Sequence, residues 1–139
     1  MKKRLLFLLF LTASVYAFAQ TEDPNLTVKD GVAVVNTTAL AKDVSGYAGP
    51  TPVLVYIKDG TILKVEALEN AETAAYFDLV REELLDSWNG TKALKIGSTQ
   101  VDAVSGATYS SRAIIANVQR GARYYNTWQK KQRNPSGPR

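Results

Sequence analysis

Two apolar, β-rich runs separated by an Asp-Gly pair constrain the fold of this chain more than any other feature. The runs cover residues 53–58 and 62–68, and Asp59-Gly60 lies between them. An Asp-Gly pair between such runs is the strongest short-range signal of a β-hairpin, because both residues accept the backbone angles of a tight two-residue turn. The pattern therefore predicts a central antiparallel hairpin, and the apolar run at residues 32–35 predicts a further short strand.

Helical spacing replaces the strand pattern after the hairpin. From Glu72 to Trp88, apolar side chains recur every four residues, and Asn89-Gly90 is typical of the end of a helix. We expect this helix to pack its apolar stripe against the hairpin sheet. The stripe consists of Tyr76, Phe77, Val80, Leu84, Leu85 and Trp88.

A second and longer helical segment spans residues 108–131. At about 100° per residue its large apolar side chains fall in one sector and its cations, such as Arg120, fall in the opposite one. The apolar sector comprises Ile114, Ile115, Val118, Ala122, Tyr125 and Trp128. Strands followed by helices indicate an α+β fold: a small single domain in which an antiparallel sheet with a central hairpin packs against two main helices.

The N-terminus has the layout of a secretory signal peptide. Three cations at residues 2–4 precede an apolar run, and the small-x-small triplet Ala17-Phe18-Ala19 precedes a polar segment. The apolar part of this leader, residues 5–19, is shorter than the roughly 20 residues that span a membrane. A cleaved signal peptide at residues 1–19 is therefore favoured over an anchor helix, and we expect the mature protein in the periplasm or another extracytoplasmic compartment.

The rest of the chain divides into three parts. Residues 20–45 form an N-terminal segment with one short strand, residues 46–131 form the main domain, and the composition of residues 132–139 predicts a disordered tail. The formal net charge of +4 includes the three cations of the leader, so the mature chain is close to neutral. The charge is therefore no evidence for a nucleic-acid partner, and we expect none.

The chain contains neither Cys nor His. It therefore has no disulfide and lacks the usual ligands of zinc, haem and iron–sulfur centres, so we expect no metal site. The commonest general base in enzymes is absent as well. We therefore expect no catalytic residue of the chain's own, and any redox chemistry would come from an imported cofactor.

A dense group of hydroxyl side chains surrounds one glycine directly before the second long helix. The stretch of residues 102–111 reads D-A-V-S-G-A-T-Y-S-S. We expect a strand over residues 100–104, a tight turn at Ser105-Gly106-Ala107, and then the N-terminus of the helix.

Such a helix N-terminus suits a phosphate group. Its first N–H groups lack partners within the helix, and the positive end of the helix dipole attracts anions. Gly106 allows the backbone to approach a ligand closely, while Ser105 and Thr108 can donate hydrogen bonds to phosphate oxygens. Taken alone, the turn is explained equally well as a helix cap without a ligand.

The wider pattern D-x-x-S-G-A-T-x-S resembles the flavinylation motif of the FMN-binding domain family. That family includes the C subunit of sodium-translocating NADH:quinone reductases and the G subunit of Rnf complexes. The resemblance covers roughly residues 46–129. G-Y-A-G at residues 46–49 is similar to the family's G-Y-x-G, and E-T at residues 72–73 lies where the family has Glu-Thr-Pro-Gly. This chain has Ala74-Ala75 in place of that Pro-Gly.

The resemblance implies a covalently bound flavin. In the family, the last hydroxyl of the motif is joined to the phosphate of FMN as a phosphoester, which a flavin transferase installs from FAD. Carried over by position, the acceptor is Ser110, where Thr is more common in the family. A helix wheel places Ser111 within the apolar sector and Ser110 at its edge, which favours Ser110. The other implied cofactor-binding residues are Asp102, Ser105, Gly106, Ala107, Thr108, Glu72 and Thr73.

The resemblance implies a secreted electron-transfer flavoprotein rather than a stand-alone enzyme. Its partners would be a flavin transferase and a membrane or extracytoplasmic electron-transfer protein, and it would reach the membrane through that partner. Two alternatives remain: a module that binds FMN or another phosphate ligand reversibly without redox turnover, and an interaction protein with a vestigial flavin site. The intact motif argues against the last of these.

Overall fold

Two Asp-Gly turns organise the sheet of the computed structural model, which describes residues 22–136. The turns are Asp30-Gly31 and Asp59-Gly60, and all four residues have positive φ, as a type I′ turn requires. The sheet is antiparallel, and its spatial order follows the sequence. Its strands are β1 (Leu26–Lys29), β2 (Val32–Asn36), β3 (Val53–Lys58) and β4 (Thr61–Ala67). The predicted central hairpin and antiparallel sheet are confirmed.

The register of the sheet places one row of apolar side chains in the core. Leu26, Val35, Val55 and Val65 are aligned across the four strands, and all four are buried. β1 and β2 therefore belong to the same sheet and core as the predicted hairpin. The sequence pattern indicated only one strand in the N-terminal segment, because β1 buries a single side chain, Leu26.

Two α-helices complete the fold of residues 22–136, as predicted. They are α1 (Ala74–Glu83) and α2 (Thr108–Arg133), and two 3-10 turns, Leu85–Trp88 and Ala93–Ser98, lie between them. α2 crosses the buried face of the sheet over β2 and β3 and also contacts α1. It extends two residues beyond the predicted end at residue 131, to Arg133. The predicted leader lies outside the described residues, as do residues 137–139 of the predicted tail.

The first predicted helix is shorter than its pattern indicated. α1 ends at Glu83, and the rest of the stripe continues in the following 3-10 turn. Phe77, Val80, Leu84 and Trp88 are buried as predicted, but 58 % of the surface of Tyr76 is exposed. The assignment of Tyr76 to the core was therefore wrong.

The apolar sector of α2 is largely as predicted. Ile114, Val118, Ala122 and Tyr125 are buried, whereas Ile115 and Trp128 are half-buried and pack at the margin of the core.

Residues 100–104 do not form the expected strand, and another segment covers the edge of β4. Gly90 N–H donates to the carbonyl of Ile62, and Ala93 N–H donates to the carbonyl of Gly60, each at 2.8 Å. Residues 90–93 thus cover this edge, and residues 99–107 follow an irregular path to α2.

Close contact between α2 and the sheet depends on small and polar residues in the middle of the helix. A Cβ atom added to Gly121 would lie 3.1 Å from methyl groups of both Thr37 and Val55. The buried Thr37 hydroxyl accepts a hydrogen bond from Val53 N–H at 2.9 Å and donates to Asn117 Oδ1. Every polar atom in this contact is paired, so the helix approaches the sheet without leaving a buried group unsatisfied.

The N-terminal segment is tied to α2 by its side chains. The Tyr124 hydroxyl donates to the Asp23 carboxylate at 2.8 Å, and the Arg120 guanidinium donates to the carboxylate of Asp43. Burial, together with Asp23, raises the pKa of Tyr124. In the stretch from residue 22 to residue 136, no helix is both long and apolar enough to cross a membrane.

Candidate functional site

A cleft of about 330 Å³ opens where the N-terminus of α2, the start of α1 and the loop before β3 meet. Its volume lies within the range of sites for small molecules. Six of the predicted cofactor-binding residues line it. They are Glu72, Thr73, Gly106, Ala107, Thr108 and Ser110.

Two predicted site residues do not line the cleft. Asp102 and Ser105 are exposed and lie outside its walls. Their assigned roles in cofactor binding therefore stay predictions. Within residues 22–136, no group of carboxylates is close enough together to hold a metal ion.

The N-terminus of α2 presents unpaired backbone donors to the cleft. Gly106 has φ 84°, which turns the chain into the helix, and Ala107 N–H donates to the carbonyl of Val104 at 3.0 Å. No side chain caps the helix, and its first turn contains no acidic residue. The first N–H groups and the positive end of the dipole are therefore available to an anion.

Two adjacent serines in the first turn of α2 have different surroundings. Ser110 lines the cleft and donates a hydrogen bond to Glu72 Oε2 at 2.8 Å. Ser111 is completely buried, and its oxygen accepts a hydrogen bond from Val104 N–H at 3.0 Å. The burial of Ser111 agrees with the helix wheel. Ser110 is more enclosed than the wheel indicated, since only 4 % of its surface is exposed.

Both carboxylate oxygens of Glu72 accept hydrogen bonds, which hold the side chain in place. Oε2 accepts from Ser110, and Oε1 accepts from Ala48 N–H at 3.1 Å. Its own N–H donates to Asn70 Oδ1 at 3.0 Å, which fixes the backbone before α1.

The loop at residues 46–49 forms a pocket for this carboxylate. The loop is closed by a hydrogen bond from Gly46 N–H to the carbonyl of Gly49 at 2.7 Å. A Cβ atom on Gly46 would lie only 2.1 Å from Glu72 Oε1. A side chain at the first glycine of G-Y-A-G would therefore displace the Glu72 carboxylate from this position.

Three exposed tyrosines surround the mouth of the cleft, and sequence reasoning assigned none of them to the site. Tyr47, Tyr76 and Tyr109 line the cleft and are 79 %, 58 % and 65 % exposed. The rings of Tyr47 and Tyr109 lie 6.3 Å apart between centroids, at 52° to each other. Tyr47 lies within G-Y-A-G and Tyr109 lies within D-x-x-S-G-A-T-x-S, so their places in these motifs could have indicated that they belong to the site. Tyr76 had no such signal, since its spacing matched the core stripe.

The comparison with protein families agrees with this geometry. The model of the FMN-binding domain matches residues 46–123, which is more than half of the chain. The chain belongs to the FMN-binding domain family. No curated protein matches it. The match includes every residue that lines the cleft.

Family membership makes FMN the cofactor and the protein a flavin-binding one. Ala74, which replaces the proline of the family's Glu-Thr-Pro-Gly, is the first residue of α1. Proline is favoured at the first position of a helix, so a helix start here is compatible with either residue. The narrower resemblance to the C subunit of sodium-translocating NADH:quinone reductase and the G subunit of Rnf complexes stays a prediction.

Proposed function

We propose that this protein is an exported flavoprotein that carries FMN covalently on Ser110 and transfers electrons between partner proteins. The observation that carries the proposal is the position of the Ser110 hydroxyl. It lines the cleft in the first turn of α2, where the backbone donors are uncapped. A phosphoester at this oxygen would place a phosphate group beside the one part of the site that is built for an anion.

The phosphate end of FMN is suited to the α2 side of the cleft. Thr108 can donate a hydrogen bond from its hydroxyl, and the first N–H groups of α2 can donate from the backbone. Gly106 has no side chain to obstruct the approach of a ligand to the turn. These residues stabilise negative charge and need no metal ion of the chain's own.

The three tyrosines at the mouth of the cleft suit the ring end of FMN. Tyr47, Tyr76 and Tyr109 offer aromatic faces of the kind that stack on flat ring systems. When bound, the isoalloxazine ring supplies the capacity to accept and release one or two electrons, while the protein binds and orients it. A chain without His or Cys can therefore serve as an electron carrier.

Covalent attachment also suits the predicted export. A phosphoester prevents loss of the flavin outside the cytoplasm, where dissociated cofactor would diffuse away. A flavin transferase would supply the FMN group from FAD, and a membrane or extracytoplasmic redox protein would exchange electrons with it. The family comparison supports FMN as the cofactor, and the motif around Ser110 supports the attachment.

Reversible binding of FMN is the second candidate function. It is favoured by the Glu72 carboxylate, which lies 2.8 Å from Ser110 Oγ and would repel a phosphate charge unless it is protonated or displaced. In that case the flavin would dissociate on denaturation, whereas a phosphoester would survive.

Mass spectrometry of the chain co-expressed with a flavin transferase separates the two candidates. We expect one FMN-sized mass increment on the peptide that contains Ser110, and yellow colour that persists in denaturant. Ser110→Ala should abolish the increment, whereas Ser111→Ala should retain it. An unmodified wild-type chain, or an increment that survives Ser110→Ala, would favour reversible binding.

N-terminal analysis of the exported protein tests the predicted compartment in the same preparation. We expect the mature chain to begin at Gln20. A retained leader would contradict the signal-peptide hypothesis without affecting the flavin assignment.

A further inference from the structure

We infer that Glu72 is the base that accepts the Ser110 proton when the flavin phosphoester forms. The inference rests on the proposed covalent attachment and adds a residue that acts on the reacting atom. Its basis is the hydrogen bond from Ser110 Oγ to Glu72 Oε2, at 2.8 Å, between side chains 38 residues apart in the sequence.

The arrangement has the three parts of an activated nucleophile. The hydroxyl of Ser110 is weakly nucleophilic until a base takes its proton, and the carboxylate of Glu72 is within hydrogen-bond reach of that proton. The third part orients the base: Ala48 N–H donates to the other carboxylate oxygen at 3.1 Å. Such a nucleophile, base and orienting group recur in hydrolases and transferases of unrelated folds.

The surrounding structure keeps Glu72 in this orientation. Gly46 leaves room for Oε1, because a Cβ atom there would lie 2.1 Å away. Asn70 fixes the backbone N–H of Glu72. The carboxylate is therefore already oriented toward Ser110, and a pre-oriented group avoids the entropic cost of alignment.

The reaction is a phosphoryl-type transfer of the FMN group from FAD to Ser110. Ser110 Oγ forms a bond to the flavin-side phosphorus of FAD, and the bond from that phosphorus to the oxygen of the adenylate phosphate breaks, releasing AMP. The Ser110 proton passes to Glu72 Oε2, and no atom changes its oxidation state. A carboxylate that accepts the proton of an attacking hydroxyl is also found in protein kinases.

The test measures initial rates of FMN addition by intact mass, with purified flavin transferase, FAD and Mg²⁺, as a function of chain concentration. Glu72→Gln removes the base with little change in volume. We expect its kcat for modification to fall by about 100-fold or more, as is typical for loss of a general base, with KM for the chain within about 3-fold of wild type. Glu69→Gln makes the same change at an exposed position of the same loop and should leave both constants unchanged.

Gly46→Ala provides a second variant that keeps the carboxylate but displaces it. We expect kcat to fall by about 10- to 100-fold, because a misplacement of 1 Å can cost about that much. Thermal unfolding followed by circular dichroism checks that both variants fold.

The outcomes separate this inference from the proposed function. An unmodified wild-type chain contradicts covalent attachment itself. Modification of the wild type together with a wild-type kcat for Glu72→Gln overturns the inference alone and assigns the base to the transferase. A rise in KM without a fall in kcat also overturns it, because Glu72 would then serve recognition. If Glu72→Gln does not fold, a wild-type kcat for Gly46→Ala overturns the inference.

Discussion

One face of α2 has different surroundings at the beginning of the helix and in its middle. Ser110, Asn117 and Gly121 lie on nearly the same line along the helix, since the steps of 7 and 4 residues between them are close to whole turns. At Asn117 and Gly121 this face meets the sheet closely, and both ends of the Asn117 amide are hydrogen-bonded. At Ser110 it lines the cleft and donates a hydrogen bond to the Glu72 carboxylate.

The difference between these regions predicts where stability and function reside. Substitutions in the middle of α2 should lower the free energy of unfolding and affect FMN only through loss of the fold. Substitutions of first-turn side chains that line the cleft, such as Ser110, should alter FMN attachment and leave the fold intact. The following predictions test that separation, beginning with the largest effect.

Val118→Asp should have the largest effect. Val118 is completely buried in the core, and an aspartate there would bury a charge without a partner. We expect a loss of about 4 kcal/mol in the free energy of unfolding, which is most of the stability of many small domains. Ile115→Asp, on the half-buried margin, should cost clearly less. Equal losses in urea unfolding would show that the assigned core face is wrong.

Gly121→Val should destabilise by about 2 kcal/mol, as overpacking of a filled core usually does. The first added carbon already meets methyl groups of Thr37 and Val55 at 3.1 Å. Gly97→Val is the matched control, because a Cβ atom on Gly97 meets nothing within 4 Å. Urea midpoints measure both. An unchanged midpoint for Gly121→Val would mean that α2 can move away from the sheet at little cost.

The two serines of the first turn sharpen the comparison. Ser111→Ala leaves Val104 N–H without its partner and should cost about 1–2 kcal/mol, while FMN attachment at Ser110 persists. Ser110→Ala should change stability by less than about 0.5 kcal/mol, because its partner Glu72 is partly exposed to water, and should abolish attachment. Measured on the same samples, Ser111→Ala should lower the stability and keep the FMN mass increment, whereas Ser110→Ala should keep the stability and lose the increment.

The smallest effect is expected at the surface pair of Arg120 and Asp43. The hydrogen bond from Arg120 lowers the pKa of Asp43 from 3.8 to about 2. Because the pKa is lower in the folded state, the contribution of the pair is present above about pH 4 and is lost as the pH falls through 2. Both side chains reach solvent, so this contribution is small.

Arg120→Ala should accordingly change the urea midpoint slightly at pH 7 and by less at pH 2, where Asp43 is partly protonated. Arg123→Ala, which removes an exposed cation one turn away, should show no such dependence on pH. A difference between wild type and Arg120→Ala that grows in acid would contradict the assigned pair.

Local patterns predicted the elements whose formation depends on neighbouring residues. Asp59-Gly60 predicted its hairpin because both residues accept positive φ. The start of α2 at Thr108 followed from the turn at Gly106 and the helical spacing after it. The patterns were wrong where the position of a residue depends on distant segments of the chain. Tyr76 has core spacing but lies in the first turn of α1, next to the cleft.

The sequence by itself determined the α+β fold, the two long helices and the motif that identifies the FMN-binding domain family, since each depends on spacing along the chain. The tertiary structure alone decided which partner each site residue meets. It joined Glu72 to Ser110 across 38 residues, and it enclosed Ser110 more than the helix wheel indicated. It also placed residues 90–93 along the edge of β4 and left residues 100–104 without the expected strand. The physical reason is common to all three: these contacts are set by the packing of distant segments, which leaves no periodic trace in the sequence.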